Sequence, residues 1–216
     1  TYTARIDAMI EDDVFALDAK IESINPIVME WLSAPVIEIS LLSDEMVDYG
    51  GHWGGEFRMQ TTPWVTGAHL RESKAGTTSH AHFPGLIVPS VGSSENAGSC
   101  YGFHYGWSGG HRMVAEQLQD GRKQIQFGHT ENSELIPGKS FETAKLYITH
   151  SSDGIGGVGC NFRGFVANSI VDLQKDSIRP VHYNCWEAVY FNHNIEELKE
   201  IATLAADIGA ERFVLD

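Results

Sequence analysis

RPVHYNCWEAVYFNHNIEELKEIATLAADIGAERFVLD, residues 179–216, decides the fold. Pro180 opens an apolar stretch that predicts a strand running on to Val189. Asn194, with Glu197 three positions later, is close to a capping box with Asn in place of Ser or Thr. Ile195, Leu198, Ala202, Ala205 and Ile208 then recur on one helical face, and Gly209 stands where helices usually stop. Phe213 to Leu215 reads as a second strand with Asp216 at its tip. A strand, a crossover helix and a second strand in this order are normally parallel and right-handed. One such unit cannot cover both of its strands and needs others beside them. The expectation is therefore a piece of a longer protein that stops inside an α/β domain.

The upstream sequence has a different period. Residues 15–24, 34–42, 85–89, 101–105, 123–127 and 145–149 alternate apolar and polar side chains, or are short apolar runs, and predict strands. Asn25-Pro26, Gly50-Gly51, Gly109-Gly110, Asp120-Gly121 and Pro137-Gly138 are read as the turns between them. Many short strands without helices between them indicate an antiparallel sandwich or barrel. After Gly159 the spacing of Phe162, Phe165, Val166, Ile170 and Leu173 turns helical, which predicts a connector helix over 161–173. The domain reading is a β-sandwich over 1–168, a connector over 169–178 and a parallel β-α-β unit over 179–216.

Composition narrows the partners. Fifteen Lys+Arg against 29 Asp+Glu leave a net charge of −14, and no cationic run is present to track phosphates, so nucleic acid is not expected. No uncharged apolar run reaches the ~18 residues of a membrane span, so no membrane partner is expected. Cys100, Cys160 and Cys185 are odd in number and widely spaced, which argues for buried free thiols over a zinc site or a disulfide framework. The first residue is Thr1, so the compartment is left open, with the cytoplasm slightly favoured.

Four motifs carry possible chemistry. Gly154-Ile-Gly156-Gly-Val-Gly159 spells a dinucleotide fingerprint, but the strand-rich region before it is not the α/β context that fingerprint needs. His80-Ala-His82 could put two imidazoles on one strand face, yet no Asp, Glu or Cys nearby completes a metal set, and neither metal nor cofactor is expected. Trp53 lies between strands in Gly50-Gly-His-Trp-Gly-Gly-Glu56, a context as suited to an exposed sugar-stacking platform as to a core residue. Trp186 and Asp216 stand at the C-terminal ends of the two parallel strands, the rim on which barrel active sites are built. A helix-capping Asp is the alternative for Asp216.

Asn184, Trp186, Glu187, Ala188, Tyr190 and Phe191, with Leu215-Asp216 one helix later, resemble the opening barrel motifs of the α-galactosidases of glycoside hydrolase family 36. Trp53 with Glu56, residues 76–82, Tyr101-Gly-Phe103 and Ser108-Gly109 follow the family's upstream segments in order, although Phe83 stands where the family commonly has Asn. The resemblance implies part of an N-terminal β-sandwich (supersandwich) domain followed by the start of a (β/α)8 barrel. It implies retaining hydrolysis of terminal α-D-galactosides by two aspartates on later barrel strands, so that none of these 216 residues is a catalytic group. For this chain it implies substrate binding by Trp53, Trp186 and Asp216, α-galactoside sugars as partners, no cofactor, and a parent protein that is a homo-oligomer. The alternatives are a non-catalytic carbohydrate-binding sandwich module and an NAD-binding oxidoreductase.

Overall fold

The computed structural model describes residues 1–76, 81–171 and 178–216. Two compact units, Thr1–Asp172 and Leu173–Asp216, are each described by themselves.

The first unit is built from twelve strands: β1 (Tyr2–Glu11), β2 (Val14–Met29), β3 (Ile37–Ile39), β4 (Glu45–His52), β5 (Gly55–Pro63), β6 (Gly67–Ser73), β7 (Gly85–Pro89), β8 (Cys100–Tyr105), β9 (His111–Gln117), β10 (Lys123–His129), β11 (Glu134–Glu142) and β12 (Leu146–Ser151). Eight form one sheet in the order β1-β2-β12-β8-β7-β4-β5, with β11 also paired to β2, and four form a second in the order β3-β10-β9-β6. The strand pairs within both sheets are antiparallel. Alternation makes the sandwich. His111, Met113 and Ala115 of β9, and Lys123, Ile125 and Phe127 of β10, point inward and are buried, while the residues between them are half-buried. Met113, Ala115, Ile125 and Phe127 meet Met46, Leu86, Val88, Phe103, Tyr105 and Leu146 of the larger sheet in one core. The Tyr105 hydroxyl reaches out of that core to accept the Ala144 amide at 3.1 Å.

Helix α1 (Gly154–Phe165) covers part of the outer face of the larger sheet, where Val158 and Phe165 are buried, and a π-helical turn, Val166–Ile170, continues it. The helix therefore begins seven residues before the expected start at 161, and the glycine run is its first half. The end expected at Leu173 lies outside the described residues, as does most of the 169–178 connector. Three expected turns are also corrected. Asn25-Pro26 lies inside β2, Gly50-Gly51 inside β4, and Pro137-Gly138 inside β11, where the register slips. Turn residues were absorbed there because long antiparallel strands tolerate bulges that a local reading takes for breaks. Asp120-Gly121 does form its turn, with Leu118 and Arg122 closed by a backbone bond of 2.8 Å.

In the second unit β13 (His182–Asn184) pairs in parallel with β14 (Arg212–Val214), joined through α2 (Trp186–Val189) and α3 (Ile195–Asp207). Asn194 caps α3, its side-chain oxygen accepting from the amides of Glu196 and Glu197 at 3.0 and 3.1 Å. Gly209, at φ +98°, follows the last turn. The expected strand to Val189 ends instead at Asn184. The Asn184 side chain accepts the Trp186 amide at 2.8 Å and turns the backbone into α2.

Candidate sugar-binding site

Register brings the rim residues of the second unit together. Asn184 stands opposite Val214, and Asp216 lies two residues further on, just past the end of the strand. The Asn184 amide nitrogen donates to the Asp216 carboxylate at 2.9 Å while its oxygen holds the Trp186 amide. One side chain thus ties Asp216, two residues past the second strand, to Trp186, the first residue of α2. Asp216 is exposed and keeps lone pairs for further donors. Trp186 is half-buried and meets Tyr190 and Phe191 edge-on, with ring centroids 5.3 and 4.9 Å apart. Tyr190 takes a left-handed φ of +48°, a strained value for a bulky residue, and its hydroxyl donates to Glu187 at 3.3 Å. The rim therefore offers an aromatic wall beside an anchored carboxylate, the two requirements of a pyranose with one apolar face and several hydroxyls.

Trp53 belongs to the first unit. It sits at the tip of the β4–β5 hairpin, 81% exposed, with His52 opposite Gly55. The His52 ring donates from Nδ1 to the Trp53 carbonyl at 2.8 Å, and the Gly54 amide donates to the Glu56 carboxylate at 2.8 Å. These bonds fix the turn and leave the indole outward, which removes the core reading of this residue.

Asn184 is the rim contact that residue-by-residue reading missed. It stood inside the quoted motif, but only the strand pairing shows that it touches Asp216.

The remaining motifs resolve differently. Gly154 takes φ +73°, and its amide donates to Gly98; those of Ile155 and Gly156 donate to Ser94 and Glu95 at 3.1 and 2.8 Å. A sandwich loop already occupies the donors a pyrophosphate would need, so the dinucleotide alternative has no site there. His82 is half-buried, and burial, with Arg71 second, pulls its pKa below the ordinary value. Its partner in the metal reading, His80, lies outside the described residues. Cys100 and Cys185 are buried as expected, whereas Cys160 is exposed on α1.

An antiparallel sandwich leading into a parallel β-α-β whose rim carries a carboxylate and an aromatic wall is the arrangement of a sandwich-plus-barrel glycoside hydrolase. The comparisons specify the family. Residues 3–135 match the model of the glycosyl hydrolase family 36 N-terminal domain, and residues 140–216 match that of melibiase. The chain belongs to glycosyl hydrolase family 36. It is 36% identical over 188 residues to an alpha-galactosidase of Escherichia coli, covering 86% of this chain and 26% of that protein. It is 32% identical over 170 residues to alpha-galactosidase AgaA of Geobacillus stearothermophilus, covering 77% of this chain and 23% of the relative. The chain thus spans about a quarter of the length of these relatives. The structure of AgaA in complex with stachyose superposes with a TM-score of 0.86 at 27% identity, over 94% of this chain and 29% of that one. An alpha-galactosidase from Lactobacillus brevis superposes with a TM-score of 0.90 over 100% of this chain and 30% of that one; at 24% identity it supports the fold alone.

Proposed function

We propose that this chain is the substrate-recognising part of an α-galactosidase that removes terminal non-reducing α-D-galactosyl residues with retention of configuration. The observation that carries the proposal is the Asn184–Asp216 hydrogen bond at the ends of two parallel strands, with Trp186 held by the same asparagine. In this reading Asp216 accepts two sugar hydroxyls, and each bond to a charged acceptor contributes about 1.5–3 kcal/mol. Trp186 supplies the wall for the sugar's apolar face. Trp53, fixed outward on its hairpin, supplies a second aromatic surface, and the whole protein assembles as a homo-oligomer. No residue here is assigned to nucleophilic or acid/base work. Two carboxyls about 5–5.5 Å apart perform that chemistry in retaining enzymes, and the reading places both on barrel strands outside these 216 residues. The domain boundaries of this proposal are a sandwich over 1–168, a connector over 169–178 and a barrel start over 179–216.

The reading supports a division of labour in which this chain binds and the rest of the barrel reacts. A chromogenic α-galactoside is offered to the 216-residue chain and to the protein extended through a complete barrel. Turnover is expected only from the longer protein. Turnover by the short chain above a buffer blank would move the chemistry into residues assigned here to binding.

A further inference from the structure

The sandwich carries a groove of about 660 Å³ whose lining does not include Trp53. That volume falls within the range of small-molecule sites. Its floor is aromatic. Trp107 is 45% exposed and stands edge-on to His129, with ring centroids 4.6 Å apart and planes at 78°. Gly109 is packed against the indole so closely that a β-carbon there would lie 2.7 Å from its nitrogen. His129 is itself held, its ring near the Glu142 carbonyl at 3.3 Å and its own carbonyl accepting from the Trp31 indole at 2.8 Å. The ring pair is thus a braced plate. Thr130, Ser133, Glu134, Glu142 and Lys74 also line the groove, the Lys74 ammonium lying 3.3 Å from the Glu72 carboxylate. Thr130 spends its proton on the Ser73 carbonyl at 2.9 Å and keeps its lone pairs for a donor in the groove.

We propose that this groove is an auxiliary binding site for a neutral oligosaccharide. A half-exposed, braced indole offers the flat apolar surface that a pyranose C–H face covers. Carboxylates and hydroxyls offer acceptors, and the ammonium offers donors, to a ring of hydroxyl groups. The signs on the walls are mixed, and the chain's net charge of −14 opposes an anionic ligand. Lys74 is paired with Glu72, so the carboxylates of Glu134 and Glu142 make a cation the competing occupant that the test below addresses. A saccharide satisfies both signs without bringing a charge of its own. The groove shares no residue with the proposed active-site rim, and it would bind sugar whether or not the protein hydrolyses it. One aromatic plate and a few exposed polar groups place the dissociation constant on the order of 1 mM.

The test is a titration of the ¹⁵N-labelled 216-residue chain with raffinose and with maltotriose, following the indole N–H signals. Saturable shifts of the Trp107 signal by at least one trisaccharide are expected. Trp107→Ala should weaken binding at this groove at least tenfold, read on the amides of Ser133 and Glu134, while Trp53→Ala leaves it unchanged. Should Trp107→Ala fail to fold, Ser133→Phe, which fills the groove from an exposed position, must weaken binding to the same degree. Absence of saturable shifts at Trp107 overturns the proposal, as does binding that Ser133→Phe leaves intact. Saturation by tetramethylammonium in place of either sugar would overturn it too, making the groove a cation site. Failure here with retained shifts at Trp186 would leave the active-site reading standing.

Discussion

Acid should unfold the sandwich through His111. This side chain is fully buried between the sheets, and neither ring nitrogen has a hydrogen-bond partner among the described residues. Burial pushes its pKa from 6.5 down to about 4; the nearby Gly109 backbone and Glu72 offset this, while His82 and His104 add to it. The folded state thus disfavours the proton that the unfolded chain accepts near its ordinary value. The stability of the neutral form is fully present above about pH 6.5 and is lost as pH falls toward 4. Each pKa unit is worth 1.36 kcal/mol, so the gap corresponds to about 3 kcal/mol. Other groups also titrate, among them Asp18, whose carboxyl burial pushes upward. Comparison with His111→Leu removes them from the difference. Urea unfolding of both proteins at pH 7.5, 6, 5 and 4.2 should show stabilities that diverge by most of this amount across the range. At pH 7.5 the leucine variant should match or exceed the parent, because it removes two orphaned polar atoms. Parallel stability curves, within about 0.5 kcal/mol at every pH, would refute the reasoning and mean that His111 meets water or a partner.

Three further outcomes are expected. Gly154→Ala should cost at least about 2 kcal/mol in urea unfolding, since alanine resists φ +73° and its β-carbon would run into the Ser94 carbonyl and lie 2.7 Å from the Ala97 amide; a cost under about 0.5 kcal/mol would mean that the 93–98 loop yields freely. Asn194→Ala removes the acceptor for two α3 amides and should destabilise that helix by about 1 kcal/mol, read as lost helical circular dichroism on warming, with Asn194→Ser restoring most of it. In a protein with the complete barrel, Asn184→Ala should lower kcat/KM for an α-galactoside about tenfold, equivalent to ~1.4 kcal/mol, by freeing Asp216; an unchanged value would reduce Asn184 to a backbone cap.

Alternation in 85–89 and 123–127, the spacing of Ile195 to Ile208, and Asn194 and Gly209 at the ends of that helix were all readable from the sequence, because each is a local rule of period or cap. So was the parallel pairing of the last two strands, which follows from their order around a helix. Tertiary structure alone decided how far local signals were obeyed. Residues 154–159 look like a phosphate loop until the Ser94–Gly98 loop is seen holding the amides of Gly154, Ile155 and Gly156. Asn25-Pro26 looks like a turn until β11, paired with β2 at Glu22 and at Ile27, carries the strand past it. The exposure of Trp53 depends on bonds from His52 and Glu56 that a composition cannot weigh. Asn184 and Asp216, 32 positions apart, are joined only once β13 and β14 pair with Asn184 opposite Val214. The sequence by itself determined the alternation of several strands, the α3 helix with its caps, and which residue types reach the rim; β1, β5, β6, β9, β11 and α2 were not read from it. The contacts between segments distant in the chain decided which polar groups were already spent and which remained for a ligand.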